Sequence, residues 1–136
     1  MLTSGLEDYL ELIYTKIEDN QDVKAIDIAN AFNVSRPSVS EALIRLADLD
    51  LIIYEGRKGI KITSKGVEEA KKVLDKHRIL SGFFSEILGV SSDIADKNAC
   101  KIEHVIDDEL VKKIKEFLQY CVGIGVAEGF RGYNGK

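Results

Sequence analysis

The chain has 136 residues, of which 45% are hydrophobic and 31% charged, and its net charge is -4. That suits one domain or two small interlocked ones of ordinary globular composition. No apolar run reaches the length of a membrane span, Met1 to Gly5 lacks the basic start of a signal peptide, and two distant cysteines make no disulfide framework. The expectation is therefore a cytoplasmic protein with no membrane partner. The charge is uneven. Arg36, Arg45, Arg57, Lys58, Lys61, Lys65, Lys71 and Lys72 crowd one segment, while the first twenty residues and residues 93–108 are acid-rich. A basic part beside an acidic part suits contact with phosphate at one end and with a cation at the other, although charges also simply solvate helices.

Residues 4–19 carry Leu6, Tyr9, Leu10, Ile13, Tyr14 and Ile17 at helical spacing, with Ser4 as the expected N-cap and Glu7 completing a capping box. Polar residues Glu18 to Asp22 end that helix. A short helix follows over Lys24 to Phe32, with Ile26, Ile28, Ala29 and Phe32 expected on its buried side. Asn33-Val34-Ser35 breaks it. Ser35 caps the next helix, which has Pro37 in its first turn and Val39, Ala42, Leu43 and Leu46 on its apolar face, to about Leu49. Helix, tight turn and helix make the helix-turn-helix pattern.

Leu51 to Tyr54 and Ile60 to Thr63 then read as the strands of a β-hairpin, with Arg57 and Lys58 at its glycine-bounded tip. This makes the module winged. The second helix opens Ser35-Arg-Pro-Ser-Val-Ser40, and that end enters the major groove in such motifs. Ser35, Ser38 and Ser40 suit phosphates, Arg36 suits guanine or phosphate, and Pro37 suits a thymine methyl. Arg57 and Lys58 would lie along the backbone. The plainer alternatives are that the serines are caps and that the tip is charged for solubility.

A long helix is expected from Thr63 or Ser64 through His77 toward Leu88, with Gly82 a candidate break. Ile79, Leu80, Phe83, Phe84, Ile87 and Leu88 exceed what one small module needs and suggest a subunit interface. Ser91 or Ser92 caps the next helix, and Asp107 or Asp108 opens another with Leu110, Ile114, Phe117 and Leu118 apolar. The glycine-rich tail from Val122 reads as frayed or loop-like.

Cys100, Glu103 and His104 stand at i, i+3 and i+4, so a helix would present all three on one face. Thiolate, carboxylate and imidazole together are a metal-ligand set. His77, and Asp8 with Glu11 on the first helix, are candidate partners. The alternatives are a solvated face, a cysteine acting as a small core hydrophobe, and two acids favoured by the helix dipole.

Leu6-Glu-Asp-Tyr-Leu-Glu-Leu-Ile-Tyr14, Ser35-Arg-Pro-Ser-Val-Ser40, Ile62-Thr-Ser-Lys-Gly66, Lys76-His-Arg78 and Ala99-Cys-Lys-Ile-Glu-His-Val105 together resemble the diphtheria toxin repressor family of metal-dependent transcriptional regulators, especially its short manganese transport regulators. The resemblance implies a mainly α fold. An N-terminal winged helix-turn-helix with a small β-hairpin (residues 1–72) precedes an all-helical dimerisation and metal-binding domain (residues 73–136). It implies a homodimer, not an enzyme, that binds a double-stranded operator with Mn(II) or Fe(II) as co-repressor and represses metal-uptake genes, with no small-molecule substrate. Zn(II) or Co(II) would also bind in vitro.

The family's ligand positions fall on Asp8, Glu11, His77, Cys100, Glu103 and His104. Cys100 matches the iron branch and Asp8 the manganese branch, so the chain mixes the two. The iron branch's ancillary site takes a Glu and a second His, where this chain has Ser81 and Asp96, so the chain departs from that site in its iron-branch form. Two rival readings remain: a winged-helix regulator answering to oxidation at Cys100 or to a small molecule, and a small metal-dependent hydrolase, for which the chain offers no evident general base.

Overall fold

The computed structural model describes residues 2–124, which divide after Val73 into two compact units. The expected glycine-rich tail beyond Ile124 lies outside the described residues. Among the described residues no helix is long and apolar enough to cross a membrane.

In the first unit, helix α1 (Ser4–Glu18) buries Leu6, Leu10 and Ile13, one turn apart on a single face. Its N-cap is Thr3 rather than Ser4: the Thr3 hydroxyl accepts the Leu6 N–H at 3.3 Å. Both residues can cap, so the register is set by where the chain turns in. Helix α2 (Ala25–Phe32) ends where Asn33 adopts the left-handed conformation, φ 53°. Asn tolerates that region better than most residues. The Ser35 hydroxyl accepts the Ser38 N–H and starts helix α3 (Arg36–Asp48), whose buried residues are Val39, Ala42, Leu43 and Leu46. On α2 only Ile28 and Ala29 are buried; Ile26 and Phe32 are 39% and 37% exposed. At 3.6 residues per turn Ile26 falls roughly opposite Ile28, so both cannot face the core, and Phe32 packs on the Tyr9 ring, centroids 5.0 Å apart.

Strands β1 (Ile52–Tyr54) and β2 (Ile60–Ile62) pair antiparallel with Ile53 opposite Lys61. The connection is a short 3₁₀ turn, Gly56–Lys58, between two glycines at positive φ. Helix α4 (Ser64–Gly82) follows. The Thr63 hydroxyl donates to the Asp50 carbonyl at 2.6 Å and accepts the Gly66 N–H at 3.0 Å, so it ties the end of the hairpin to the first turn of α4. Gly66 there is buried and passes so close to the Leu51 carbonyl that an added Cβ would stand 2.0 Å from its oxygen.

In the second unit the α4 helix does not run on to Leu88. Gly82 stays helical, and one π-helical turn, Phe83–Ile87, leads to Gly89 at φ 76°. Glycine at position 82 lets Leu118 approach to 3.6 Å of where a Cβ would stand. Helix α5 (Ser92–Ile102) is capped by the Ser91 hydroxyl, which accepts the Ile94 N–H. Helix α6 (Asp108–Ile124) extends through Val122 and Gly123, two residues that composition alone assigns to a loop-like tail. Ile87 and Cys121 form a small buried cluster with Phe83 and Leu118 against it. Leu110 and Phe117, two of its expected apolar positions, are 53% and 47% exposed, and Tyr120 is exposed beside them, so this helix carries an apolar surface row.

Gly66→Ala forces the Leu51 carbonyl to move and should lower stability by roughly 1–3 kcal/mol, the usual scale for overpacking. Gly5→Ala, with nothing within 4 Å of the added carbon, is the control and should be neutral or mildly stabilising. Equal denaturation midpoints for the two variants would contradict the close approach at Gly66.

Candidate functional site

The second unit brings three of the sequence-predicted ligands together. His77 lies on α4, Cys100 on α5, and Glu103 closes α5 as its C-cap, with its N–H still donating to the Ala99 carbonyl. The nitrogen, sulfur and carboxylate oxygen offered by His77, Cys100 and Glu103 all lie within 4.8 Å of one another. His77 Nδ1 and Glu103 Oε2 are hydrogen-bonded at 2.8 Å, and Cys100 Sγ stands 3.7 Å from the same nitrogen. His104, in the turn after α5, sets its Nε2 3.6 Å from Glu103 Oε1. The two imidazoles thus face the two oxygens of one carboxylate. Helix α5 stops at Ile102, so the expected single helical face is completed by a turn rather than by helix.

Glu103 is 2% exposed and the one charged residue among the buried described residues. A buried carboxylate is costly unless paired or bound to a cation. Around a cation with bonds of about 2.0–2.3 Å, neighbouring donors stand roughly 3–4 Å apart. The 3.7 Å between Cys100 and His77 already matches, and the 2.8 Å hydrogen bond needs only to open slightly. Imidazole, thiolate and carboxylate at this spacing fit a divalent transition metal. Asp8 and Glu11 lie half-buried on α1 in the first unit, one turn apart along the helix.

Two residues beside this set form a second layer around His77. Asp96 Oδ1 stands 3.5 Å from His77 Nε2, on the far side of the ring, and accepts the Ser81 hydroxyl at 2.5 Å. From the sequence these two residues stand only as degenerate ancillary ligands. Their spacing is the signal that could have found them: Ser81 is i+4 from His77 and Asp96 is i−4 from Cys100, so both continue the same helical stripes.

In the first unit, the opening of α3 and the wing frame a shallow groove lined by Lys24, Ile26, Arg36, Tyr54 and Arg57. Arg36, Pro37, Ser38, Arg57 and Lys58 are exposed, and Ser40 is half-buried. Ser35 is spent as a cap and also donates its hydroxyl to Ser38 at 2.8 Å. Lys58 pairs at 3.7 Å with Glu55, which softens its charge at the tip. Lys24, at the N-cap of α2, adds a third cation to the groove, which periodicity alone does not indicate.

Two family models match the chain. Residues 1–60 match the N-terminal DNA-binding domain of iron-dependent repressors, and residues 63–122 match their metal-binding and dimerisation domain. The chain belongs to the iron-dependent repressor family. A helix-turn-helix-type transcriptional regulator of Methanocaldococcus jannaschii is 39% identical over 119 residues, 87% of this chain and 95% of its own. The transcriptional regulator MntR of Shouchella clausii is 34% identical over 120 residues, 88% of this chain and 83% of its own. The structure of the manganese regulator SloR superposes with a TM-score of 0.75 at 32% identity, over 85% of this chain. This chain spans about half of SloR's length, 54%.

Membership of this repressor family agrees with the resemblance read from the motifs, and the family is one of transcriptional regulators rather than enzymes. The mainly α fold with one small hairpin is the expected one. The cationic groove lies within the region matched to the family's DNA-binding domain, and the His77–Cys100–Glu103 set within the region matched to its metal-binding domain.

Removing one phosphate-binding cation from a protein on B-DNA makes the slope of log affinity against log salt shallower by roughly 0.9. Arg57→Ala and Lys24→Ala should each weaken duplex binding for all sequences alike and reduce that slope by about this amount. A slope unchanged in both variants would remove this groove from the interface.

Proposed function

We propose that this chain is a metal-responsive transcriptional repressor that acts in the cytoplasm as a homodimer on a double-stranded operator of metal-uptake genes. The observation that carries the reading is the buried Glu103 carboxylate between two imidazoles and beside a thiol. Family membership supplies the DNA-binding and dimerisation context. The exposed apolar row of α6, Leu110, Phe117 and Tyr120, is proposed as part of the dimer surface.

The ligands proposed are His77, Cys100, Glu103 and His104, with Asp8 and Glu11 completing the set; the support for those last two is their donor type and their match to the family's positions. Asp8, Glu11 and Glu103 are hard oxygen donors suited to Mn(II) and Fe(II), whereas the Cys100 thiolate favours Fe(II), Co(II) or Zn(II). With Asp8 in place of a soft donor, Mn(II) is the favoured co-repressor, narrowly ahead of Fe(II). Two solved structures that the chain resembles carry manganese in their names, the manganese regulator SloR and a manganese-dependent transcriptional repressor.

Bound at these donors, a divalent cation supplies a positive centre satisfied by one arrangement of them. Glu103, whose two oxygens face the rings of His77 and His104, would bring its carboxylate and both imidazoles to that centre. Ser38, Arg36 and Arg57 meet the duplex, and two such surfaces in a dimer must reach major grooves about 34 Å apart. If only one arrangement of the donors is compatible with that spacing, metal and operator binding are thermodynamically coupled, and each tightens the other equally.

Such couplings are typically about 1–3 kcal/mol, roughly 5–150-fold in affinity. Glu103→Ala should keep the weak metal-free binding to the operator and lose that gain when Mn(II) is added, as read by fluorescence anisotropy of a labelled duplex. A Mn(II)-dependent gain of wild-type size in the variant would exclude Glu103 from the site.

A further inference from the structure

His77 presents its two ring nitrogens to two different environments. Nδ1 faces the candidate donor set, with Glu103 Oε2 at 2.8 Å and Cys100 Sγ at 3.7 Å. Nε2 faces Asp96 Oδ1 at 3.5 Å. Asp96 is itself held: the Ser81 hydroxyl, one turn beyond His77 on α4, donates to the same oxygen at 2.5 Å. An imidazole that ligates a metal through one nitrogen carries its N–H on the other, and the group accepting that N–H sets the ring's tautomer and orientation. Asp96 lies across the ring from the donors, so the oxygen facing His77 is aimed at the ring's second nitrogen and not at the cation.

We propose that Asp96 is a positioning residue of the metal centre: its carboxylate, fixed by Ser81, accepts the Nε2–H of His77 and so presents Nδ1 to the cation. This rests on the metal-binding reading above. Three side chains then act in series. Ser81 orients Asp96, Asp96 orients His77, and His77 meets the cation beside Cys100 and Glu103. The pairing also explains why a serine and an aspartate stand where the iron branch of the family places two ancillary ligands. In this chain the pair serves the ring of His77 instead.

Losing the outer partner of a metal-bound histidine typically weakens metal binding about 10–100-fold. The Asp96 side chain is 60% exposed, so the effect belongs near the low end, about tenfold. The test is Co(II) titration of the full chain, followed by the d–d bands and the thiolate charge-transfer band of Cys100, in wild type, Asp96→Ala, Asp96→Asn and Ser81→Ala.

Asp96→Ala should weaken Co(II) binding about tenfold. Asp96→Asn, whose amide oxygen still accepts an N–H, should recover most of the loss, and Ser81→Ala should fall between. Because His77 and His104 are the chain's two histidines, ¹⁵N spectra of the Zn(II)-loaded protein read both rings. Wild type should show His77 bound through Nδ1 with its proton on Nε2. Undiminished Co(II) affinity in Asp96→Ala, a loss in Asp96→Asn as large as in Asp96→Ala, or His77 bound through Nε2 would each overturn the proposal. Wild-type protein that takes up no Co(II) would overturn the metal reading with it, whereas uptake by wild type and by Asp96→Ala alike would overturn the positioning role alone.

Discussion

The second unit depends on a carboxylate held out of water. Glu103 is buried at the end of α5, and its oxygens meet imidazoles from α4 and from the turn that follows α5. Burying a charge costs several kcal/mol unless it is paired, and removing one partner of a buried pair costs more than forming the pair gained. A polar tie of this kind contributes little net stability. What it contributes is geometry, because only a narrow range of helix positions leaves all three side chains satisfied. Apolar side chains pack beside it: Leu80, Ala95, Ala99 and Val111 are buried, and Ile87 and Cys121 are the buried members of the cluster that joins the π-helical turn to α6.

The first unit is built around an apolar cluster. Leu10, Ile13, Ile28, Val39, Leu43 and Leu46 are fully buried in one apolar cluster, and the hairpin is tied to it through Thr63 and the close approach of Gly66 to Leu51. Its polar and cationic side chains are left on the surface, where Arg36 and Arg57 flank a groove. Under the proposed function, the first unit would present groups to DNA and the second would present donors to metal. The coupling between them is a free energy shared by both ligands.

Much of this is legible in the residues. The apolar stripe of α3 names the four side chains that are buried, and Ser35 with Pro37 marks its start, because capping and proline placement act locally. The first cap falls one residue away from the expected one because Thr3 and Ser4 have equivalent hydroxyls. Ile26 and Phe32 read as a buried side and are partly exposed, and the apolar positions Leu110 and Phe117 lie at the surface. Periodicity shows which residues share a face and not whether a neighbour covers it.

At the candidate site, residue type and spacing pick out Cys100, Glu103 and His104 with His77 as a candidate partner, and the resemblance agrees on all four. The burial of Glu103 is not readable from the sequence, since it depends on a histidine 26 positions away. Asp96 escapes notice as a partner for the same reason: its i−4 relation to Cys100 is visible, but the ring it faces belongs to another helix.

The central claim is that metal governs DNA binding. It is tested most directly by titrating a labelled duplex from the protein's own upstream region with metal-free protein, and then with Mn(II), with Fe(II) under anaerobic conditions and with Zn(II). The account predicts weak binding without metal and tighter binding with Mn(II) or Fe(II), by roughly 5–150-fold. Equal affinity with and without every metal would contradict it and would turn attention to oxidation of the exposed Cys100 as the controlling event.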